Sequence, residues 1–427
     1  MTSILIKNSW IVSHPRKILQ GNLYIEDNLI SEITPKNIEA DFVIEGRNLV
    51  VCPGFVNSHT HVAMSIMRGF LDDMEFTEFL RKTSEIDARM EERDIYLGAK
   101  LGIVEMIRSG TTLFFDMYYG EDIVAKVAKE LGIRAALGWA VVDEDKTTQK
   151  GNPLKNAERF IKEYRNEDKI YPMIAPHGVY SCSDETLLKS KEIADKYDVP
   201  VHMHTAESRE EVYGHYKRKG NRIIEYLSDL GILSPKFMAV HAVWLTMREV
   251  KILKESGATV VHCPTSNMKL GIGGYPPIPE MMEYGINITI GTDSAATNNS
   301  LDIFREMRMA ALIHKNSRWN PSLLKAEEVF KMATENPYTF LSLKGGRIEE
   351  GYLADICIID GNDLSMQPLS KSNIINDIVY SATAQVVKYT IVGGKILQWK
   401  KHLQEILNDI NDSEVFLWLS GMKNLEN

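Results

Sequence analysis

Short aliphatic and β-branched runs open the chain, at Ile4-Leu5-Ile6, Trp10-Ile11-Val12, Leu23-Tyr24-Ile25 and Phe42-Val43-Ile44, separated by Asn, Asp, Gly and Pro. That punctuation predicts antiparallel strands. From Pro53 the pattern changes, and apolar runs of strand length alternate with longer helical periods at 112–117, 134–142, 170–175, 199–204, 237–241, 259–263 and 287–291. Alternation of this kind predicts parallel strands with crossover helices. With the run that ends at His59 the count reaches about eight, the number that closes a (β/α) barrel. After Lys344 the chain turns β again, at 355–360 and 387–392 with a Gly393-Gly394 turn, and a charged amphipathic tail follows Lys400. The expected architecture is an α/β chain: a TIM-like (β/α)8 barrel over 53–344, a small β-sandwich built from 1–52 and 345–400, and a helical tail over 401–427.

Composition narrows the partners. At 427 residues, 44% hydrophobic and 25% charged, the chain is an ordinary globular protein, large enough for one big domain and a smaller one. A formal charge of -9 without long charged blocks argues against a nucleic-acid surface. The first residues lack the pattern of a signal peptide, and no apolar run reaches membrane-spanning length. Cys52, Cys182, Cys263 and Cys357 are widely spaced beside apolar sequence, as reduced buried thiols are. A cytoplasmic protein with neither membrane nor nucleic-acid partner is expected.

Polar residues at the ends of the apolar runs change the picture most. His59 and His61 end the first run, and residues two apart on a strand share a face, so the two imidazoles converge. Burying such a pair is costly without a metal or a carboxylate nearby, although an isolated pair also fits histidines satisfied by backbone carbonyls. The later runs repeat the theme: His177 ends the fourth, His204 the fifth, His241 the sixth and Asp293 the eighth. Barrel enzymes place their working residues at these strand ends. Imidazoles with one carboxylate suit Zn²⁺ and tolerate Fe²⁺, and coordinating groups this few leave a position open for water.

The proline-glycine lead into His59 and His61, the element from His204 to Glu207, and Gly291-Thr292-Asp293-Ser294 together resemble the amidohydrolase superfamily. Within it, the stretches 262–270 and 295–302 are similar to the methylthioadenosine/S-adenosylhomocysteine deaminase branch, which includes triazine hydrolases. The resemblance spans nearly the whole chain. It implies His59, His61, His204 and Asp293 as ligands of one metal, zinc or iron, because 171–180 lacks the lysine of binuclear members. It implies Glu207 as proton shuttle, His241 as the group that orients or polarises the attacked centre, and Asp293 as acceptor of the water proton. Read without the resemblance, Glu207 is a carboxylate at a helix N-terminus.

Substrate follows from the same resemblance, which implies a purine nucleoside whose amine leaves as ammonia. His177 matches the family's substrate-contacting histidine. The helical stretch 76–94 matches its lid, with Asp87, or Glu85 close by, placed to bind the ribose hydroxyls. Members that take S-adenosylhomocysteine hold its carboxylate with arginines after the third strand, and Trp139 stands where one is expected, an aromatic placed to contact an apolar 5′ tail or to cap the base. The expected substrates are therefore methylthioadenosine, adenosine or 5′-deoxyadenosine, with little use of S-adenosylhomocysteine. A deaminase or hydrolase of a free heterocycle such as guanine, cytosine or a triazine is the rival, and a homo-oligomer is implied by the family.

Overall fold

The computed structural model describes residues 2–36 and 38–423. Met1, Asn37 and 424–427, which the expected domain bounds include, lie outside the described residues.

Five strands open the chain: β1 (Ser3–His14), β2 (Lys17–Glu26), β3 (Leu29–Thr34), β4 (Phe42–Glu45) and β5 (Leu49–Pro53). Eight more follow as β6 (Phe55–Thr60), β7 (Thr111–Tyr118), β8 (Arg134–Val141), β9 (Ile170–Pro176), β10 (Val201–Thr205), β11 (Phe237–His241), β12 (Thr259–His262) and β13 (Ile288–Ile290). These eight pair in sequence order, each parallel to the next, with helices between them. The expected barrel is the one observed. It nearly closes where the last strand reaches the first: the N–H of Asp293 donates to the carbonyl of His59 at 2.9 Å. Asn57 adds a two-way bond with Thr292, accepting its N–H at 3.0 Å and donating to its hydroxyl at 2.7 Å. Gly291 permits this approach, since a Cβ there would lie 2.8 Å from the His59 nitrogen.

Alternate strand residues fill the barrel, among them Val56, Leu113, Phe115, Ala136, Met173, Met238, Val240 and Val261. The other parity packs against the helices in a larger apolar cluster. A fully buried side chain such as Phe115 contributes roughly 2–3 kcal/mol.

The chain ends meet in a second unit, completed by β14 (Ile356–Asp360), β15 (Val387–Val392) and β16 (Lys395–Ile396). Its strands form one sheet in the order β16-β15-β14-β5-β1-β2-β3, with β4 also on β1. The sheet is mixed, not antiparallel throughout: β4 and β5 both run parallel to β1. Alternating apolar sequence marks a strand but not the direction of its neighbour, so the pattern could not show this. The sheet curls until Ile30 N–H meets the Tyr352 carbonyl at 2.9 Å, enclosing Ile6, Leu23, Ile25, Val51, Ile356 and Ile358.

Asp355 ties this unit to the barrel. Its carboxylate accepts from Arg134 at 2.6 Å, Tyr338 at 2.7 Å and the Gly393 N–H at 2.8 Å. The tail forms two helices: Trp399–Asp409 packs on the helix Glu92–Arg108, and Glu414–Lys423 lies against the 62–67 turn with Phe416 edge-on to Phe70, while Ser413 between them bonds to Asp94 at 2.6 Å. All four cysteines are free and buried. Among the described residues no helix is long and apolar enough to cross a membrane.

Candidate active site

Three histidines, His59, His61 and His204, converge at the C-terminal mouth of the barrel, and hydrogen bonds to carbonyls fix which nitrogen is free on the latter two. His61, just beyond β6, sets Nδ1 2.5 Å from the Met117 carbonyl. His204 on β10 sets Nδ1 3.0 Å from the His177 carbonyl. A carbonyl only accepts, so both Nδ1 atoms carry the proton and both Nε2 atoms present lone pairs. His59, fully buried on β6, has Nδ1 3.1 Å from Nε2 of His202 and Nε2 3.2 Å from Nε2 of His204. Asp293 closes the group, with Oδ1 3.4 Å from His61 Nε2 and 3.6 Å from His59 Nε2.

This donor set fits a divalent cation. Two nitrogens bound to one tetrahedral zinc at about 2.0–2.1 Å stand about 3.3 Å apart, close to the separation of His59 and His204. Ligand atoms of His59, His61 and His204 lie within 4.8 Å of one another, as do those of His59, His241 and Asp293. Burial pushes His59 down to about 3 and His204 well below the ordinary histidine range, so both are neutral donors near pH 7. Burial alone would raise Asp293, but its contact with His59 and with the other imidazoles around it holds its carboxyl below the usual range. Its oxygens are held by the Ser266 hydroxyl at 2.6 Å and the Ser294 N–H at 2.7 Å.

Glu207 stands beside this group with Oε1 3.7 Å from His241 Nε2. Burial, aided by the charge of Asp293, pushes its carboxyl up to about 8, so it carries a proton at neutral pH. His241 is buried, and its Nδ1 lies 2.9 Å from Asn267 Oδ1, which orients the ring. A cavity of about 320 Å³ opens above His61, His204, Glu207, His241 and Asp293. His177 lines its wall, its ring edge-on to His204 with centroids 4.7 Å apart.

The helix Phe76–Asp87 forms the opposite wall. Thr83 and Asp87, one turn apart, share the cavity face with Phe76, Phe79 and Leu80. Asp87 accepts from the Tyr118 hydroxyl at 2.6 Å, and its carbonyl accepts from Tyr119 at 2.7 Å. Glu85 instead points to solvent and pairs with Arg81. Of the two acidic candidates, Asp87 is the one at the cavity.

Trp139 requires a correction. It lies on the helix-facing parity of β8, its ring 5.9 Å from Phe160 and under the Arg159 guanidinium, whereas Ala140 and Val142 line the cavity. Its indole N–H donates at 2.8 Å to Gln149, which does line the cavity. Trp139 thus holds the wall from behind. The residue types at the strand ends gave no sign of Gln149, Asn267 or Ser266. For His202 a signal was present: it stands two before His204, the spacing that marked His59 and His61.

Residues 50–397 match the amidohydrolase family model. The chain belongs to the amidohydrolase family. Among its relatives, the 5′-deoxyadenosine deaminase of Methanothrix thermoacetophila is 40% identical over 396 residues, covering 92% of this chain and 94% of the relative. The 5-methylthioadenosine/S-adenosylhomocysteine deaminase 1 of Archaeoglobus fulgidus is 41% identical over 395 residues, covering 92% and 93%. An adenosine deaminase from Xanthomonas campestris, solved with bound zinc, superposes with a TM-score of 0.90 at 28% identity over 96% of this chain and 99% of that one. These agree with the resemblance carried by the sequence motifs. The amidohydrolase fold therefore brings every strand-end residue singled out in the sequence, His59 through Asp293, to one mouth of the barrel.

Proposed function

We propose that this amidohydrolase is a zinc-dependent deaminase of adenine nucleosides with a small neutral 5′ group: methylthioadenosine, adenosine or 5′-deoxyadenosine. One observation carries the reading. A single cavity has a cation-ready histidine cluster and a protonated Glu207 on one side, and a carboxylate suited to a ribose, Asp87, on the lid. The names of the relatives point the same way.

His59, His61, His204 and Asp293 would hold the ion, which when bound supplies Lewis acidity and makes water nucleophilic near neutral pH. The remaining work falls to this chain's own side chains. Glu207 enters protonated and can donate to the ring nitrogen beside the C–N bond, which makes the adjacent carbon electrophilic. Asp293 accepts a proton from the attacking water. His241, held by Asn267, orients the group under attack. Proton return to the amine releases ammonia, so one water is consumed and the ring keeps a carbonyl. His177 lines the same wall and would contact the base.

The wall over 146–149 supports a neutral tail. Gln149 spends its amide internally, Oε1 on Trp139 and Nε2 on the Ala140 carbonyl at 3.0 Å. Lys146, the one Lys or Arg among the described residues lining the cavity, is bonded to Asp143 at 3.1 Å. Steady-state ammonia release tests the proposal with 5′-deoxyadenosine, methylthioadenosine, adenosine, S-adenosylhomocysteine, guanine and cytosine. The first three should be preferred. A higher kcat/KM for S-adenosylhomocysteine would overturn the tail argument, and one for a free base would overturn the nucleoside reading.

A further inference from the structure

We propose that His202 is a positioning residue for the metal centre, fixing through its Nε2 which nitrogen of His59 is free to bind. His202 and His204 share the inward parity of β10, with Met203 between them facing the helices. That places His202 behind His59, fully buried, its Nε2 3.1 Å from His59 Nδ1 and its ring edge-on to Phe115. His59 differs here from His61 and His204, whose Nδ1 protons are fixed by carbonyls that can only accept. Its partner is another imidazole, and either ring can be the donor.

Two proton arrangements follow. In one, His59 carries its proton on Nε2 and donates to the Nε2 lone pair of His204 at 3.2 Å, while His202 donates from Nε2 to His59 Nδ1. In the other, His59 carries its proton on Nδ1 and donates to His202, leaving Nε2 as a lone pair beside those of His61 and His204. Only the second can bind a cation at Nε2. Each ring keeps one proton in both, so loading the metal exchanges the tautomers of both rings without changing their total protons. His202 Nδ1 is buried with no hydrogen-bond partner among the described residues, so no fixed acceptor or donor on that side opposes the exchange. A backbone carbonyl or a carboxylate, the common partners of a metal-ligating histidine, gives no such freedom.

The test uses zinc alone and no nucleoside. Zinc affinity is measured by chelator competition on wild type, His202→Phe and His202→Gln. Phenylalanine keeps the ring against Phe115 but offers no acceptor, whereas the Gln side chain can place an oxygen near the Nε2 position. Zinc binding should weaken about 10–100-fold in H202F, the range for loss of an outer-shell partner, and recover most of that in H202Q. Zinc-free H202F sheds the unpartnered Nδ1 of His202 but strips His59 Nδ1 of its partner, two opposing effects, so it should melt within a few degrees of zinc-free wild type and its zinc affinity can be read on a folded protein. On the wild-type protein, ¹⁵N-histidine spectra should show the His202 proton on Nε2 without zinc and on Nδ1 with it. H202F binding zinc within about threefold of wild type would overturn the assignment, as would a His202 proton on the same nitrogen in both states. Wild-type protein that takes up no divalent ion would overturn the metal reading itself, an outcome distinct from either.

Discussion

Replacing Asp87 by asparagine separates what its carboxylate does for a substrate from what it costs the fold. Burial holds the Asp87 carboxyl up at about 6, against an opposing hydrogen bond from Tyr118, whereas an aspartate in an unfolded chain titrates near ~3.9. The folded protein therefore binds this proton more tightly than the unfolded chain does. Stability falls as pH rises from about 4 to about 6 and stays at the lower level above that. Two pKa units correspond to about 2.7 kcal/mol, and the partial exposure of the side chain reduces this to roughly 1–2 kcal/mol. Asparagine keeps an oxygen for Tyr118 and the carbonyl for Tyr119 but carries no charge. D87N should thus be the more stable protein above pH 6, and the two should converge near pH 4. The opposite sign is expected for substrate. Hydrogen bonds from ribose hydroxyls to a charged acceptor contribute about 1.5–3 kcal/mol, so KM for adenosine should rise about 10–100-fold in D87N with kcat changed much less. 2′,3′-Dideoxyadenosine supplies the complementary arm: wild type should lose a similar factor with it, and D87N should lose little more. Urea melts across pH and steady-state ammonia release measure both effects. A D87N protein that uses adenosine as well as wild type does, or that is no more stable at pH 7, would refute the reasoning.

Glu207→Gln keeps the shape of the side chain but cannot deliver its proton, so kcat should fall about 10²–10⁴-fold with zinc content unchanged, and a loss under tenfold would refute the shuttle role. Asp355→Ala leaves the Arg134 guanidinium buried without its carboxylate, and urea melts should show a loss of about 3–5 kcal/mol; a loss below about 1 kcal/mol would mean the tie between sheet and barrel matters little. Asp293 sits at φ 61°, a region that asparagine enters at a lower cost than alanine does. D293N and D293A should both lose turnover, yet zinc-free D293A should melt below zinc-free D293N by about 1 kcal/mol, and equal stabilities would show that the backbone there is unstrained.

The barrel was legible because its strands are buried on both faces and read as short apolar runs, most of them ending in a histidine or a carboxylate that chemistry would not leave there by chance. His204, His241 and Asp293 were found that way. The same property hid the orientation of Trp139. With both faces of β8 buried, Leu137, Trp139 and Val141 on one parity and Gly138 and Ala140 on the other are all compatible with sequence of that kind, and nothing in the pattern says which parity looks inward. The structure shows the small residues toward the cavity and the indole toward Phe160. Asp87 against Glu85 was a question of helical phase, settled when Phe79 and Ile86 turned out to be the buried positions and Glu85 the exposed one. Pairing within the terminal sheet was out of reach for another reason, since the parallel contacts of β4 and β5 with β1 join residues far apart in the chain, such as Ile4 with Phe42 and Trp10 with Val50, and local alternation carries no record of such pairing.

Positive φ angles at non-glycine residues gather where the strands enter the site: Ala206 at 51°, His241 at 71°, Ala242 at 47° and Asp293 at 61°. Each costs about 1–2 kcal/mol and persists only where the surroundings over-determine it. Here they do, through bonds between neighbouring strand ends. The Ala242 N–H donates to the Thr205 carbonyl at 3.0 Å, and the N–H groups of Val243 and Trp244 both converge on the Ala206 carbonyl at 3.1 and 3.0 Å. The Asp293 N–H is taken by His59, one of the side chains its own carboxylate faces. A strand that simply continued would send successive side chains to opposite faces. The left-handed turns stop that alternation at the residues that matter, so His241 and Asp293 face the same small volume as His59, His61 and His204. Because adjacent strand ends hold one another, that geometry exists before any substrate arrives, and the barrel that bears the strain is what keeps the donors in place.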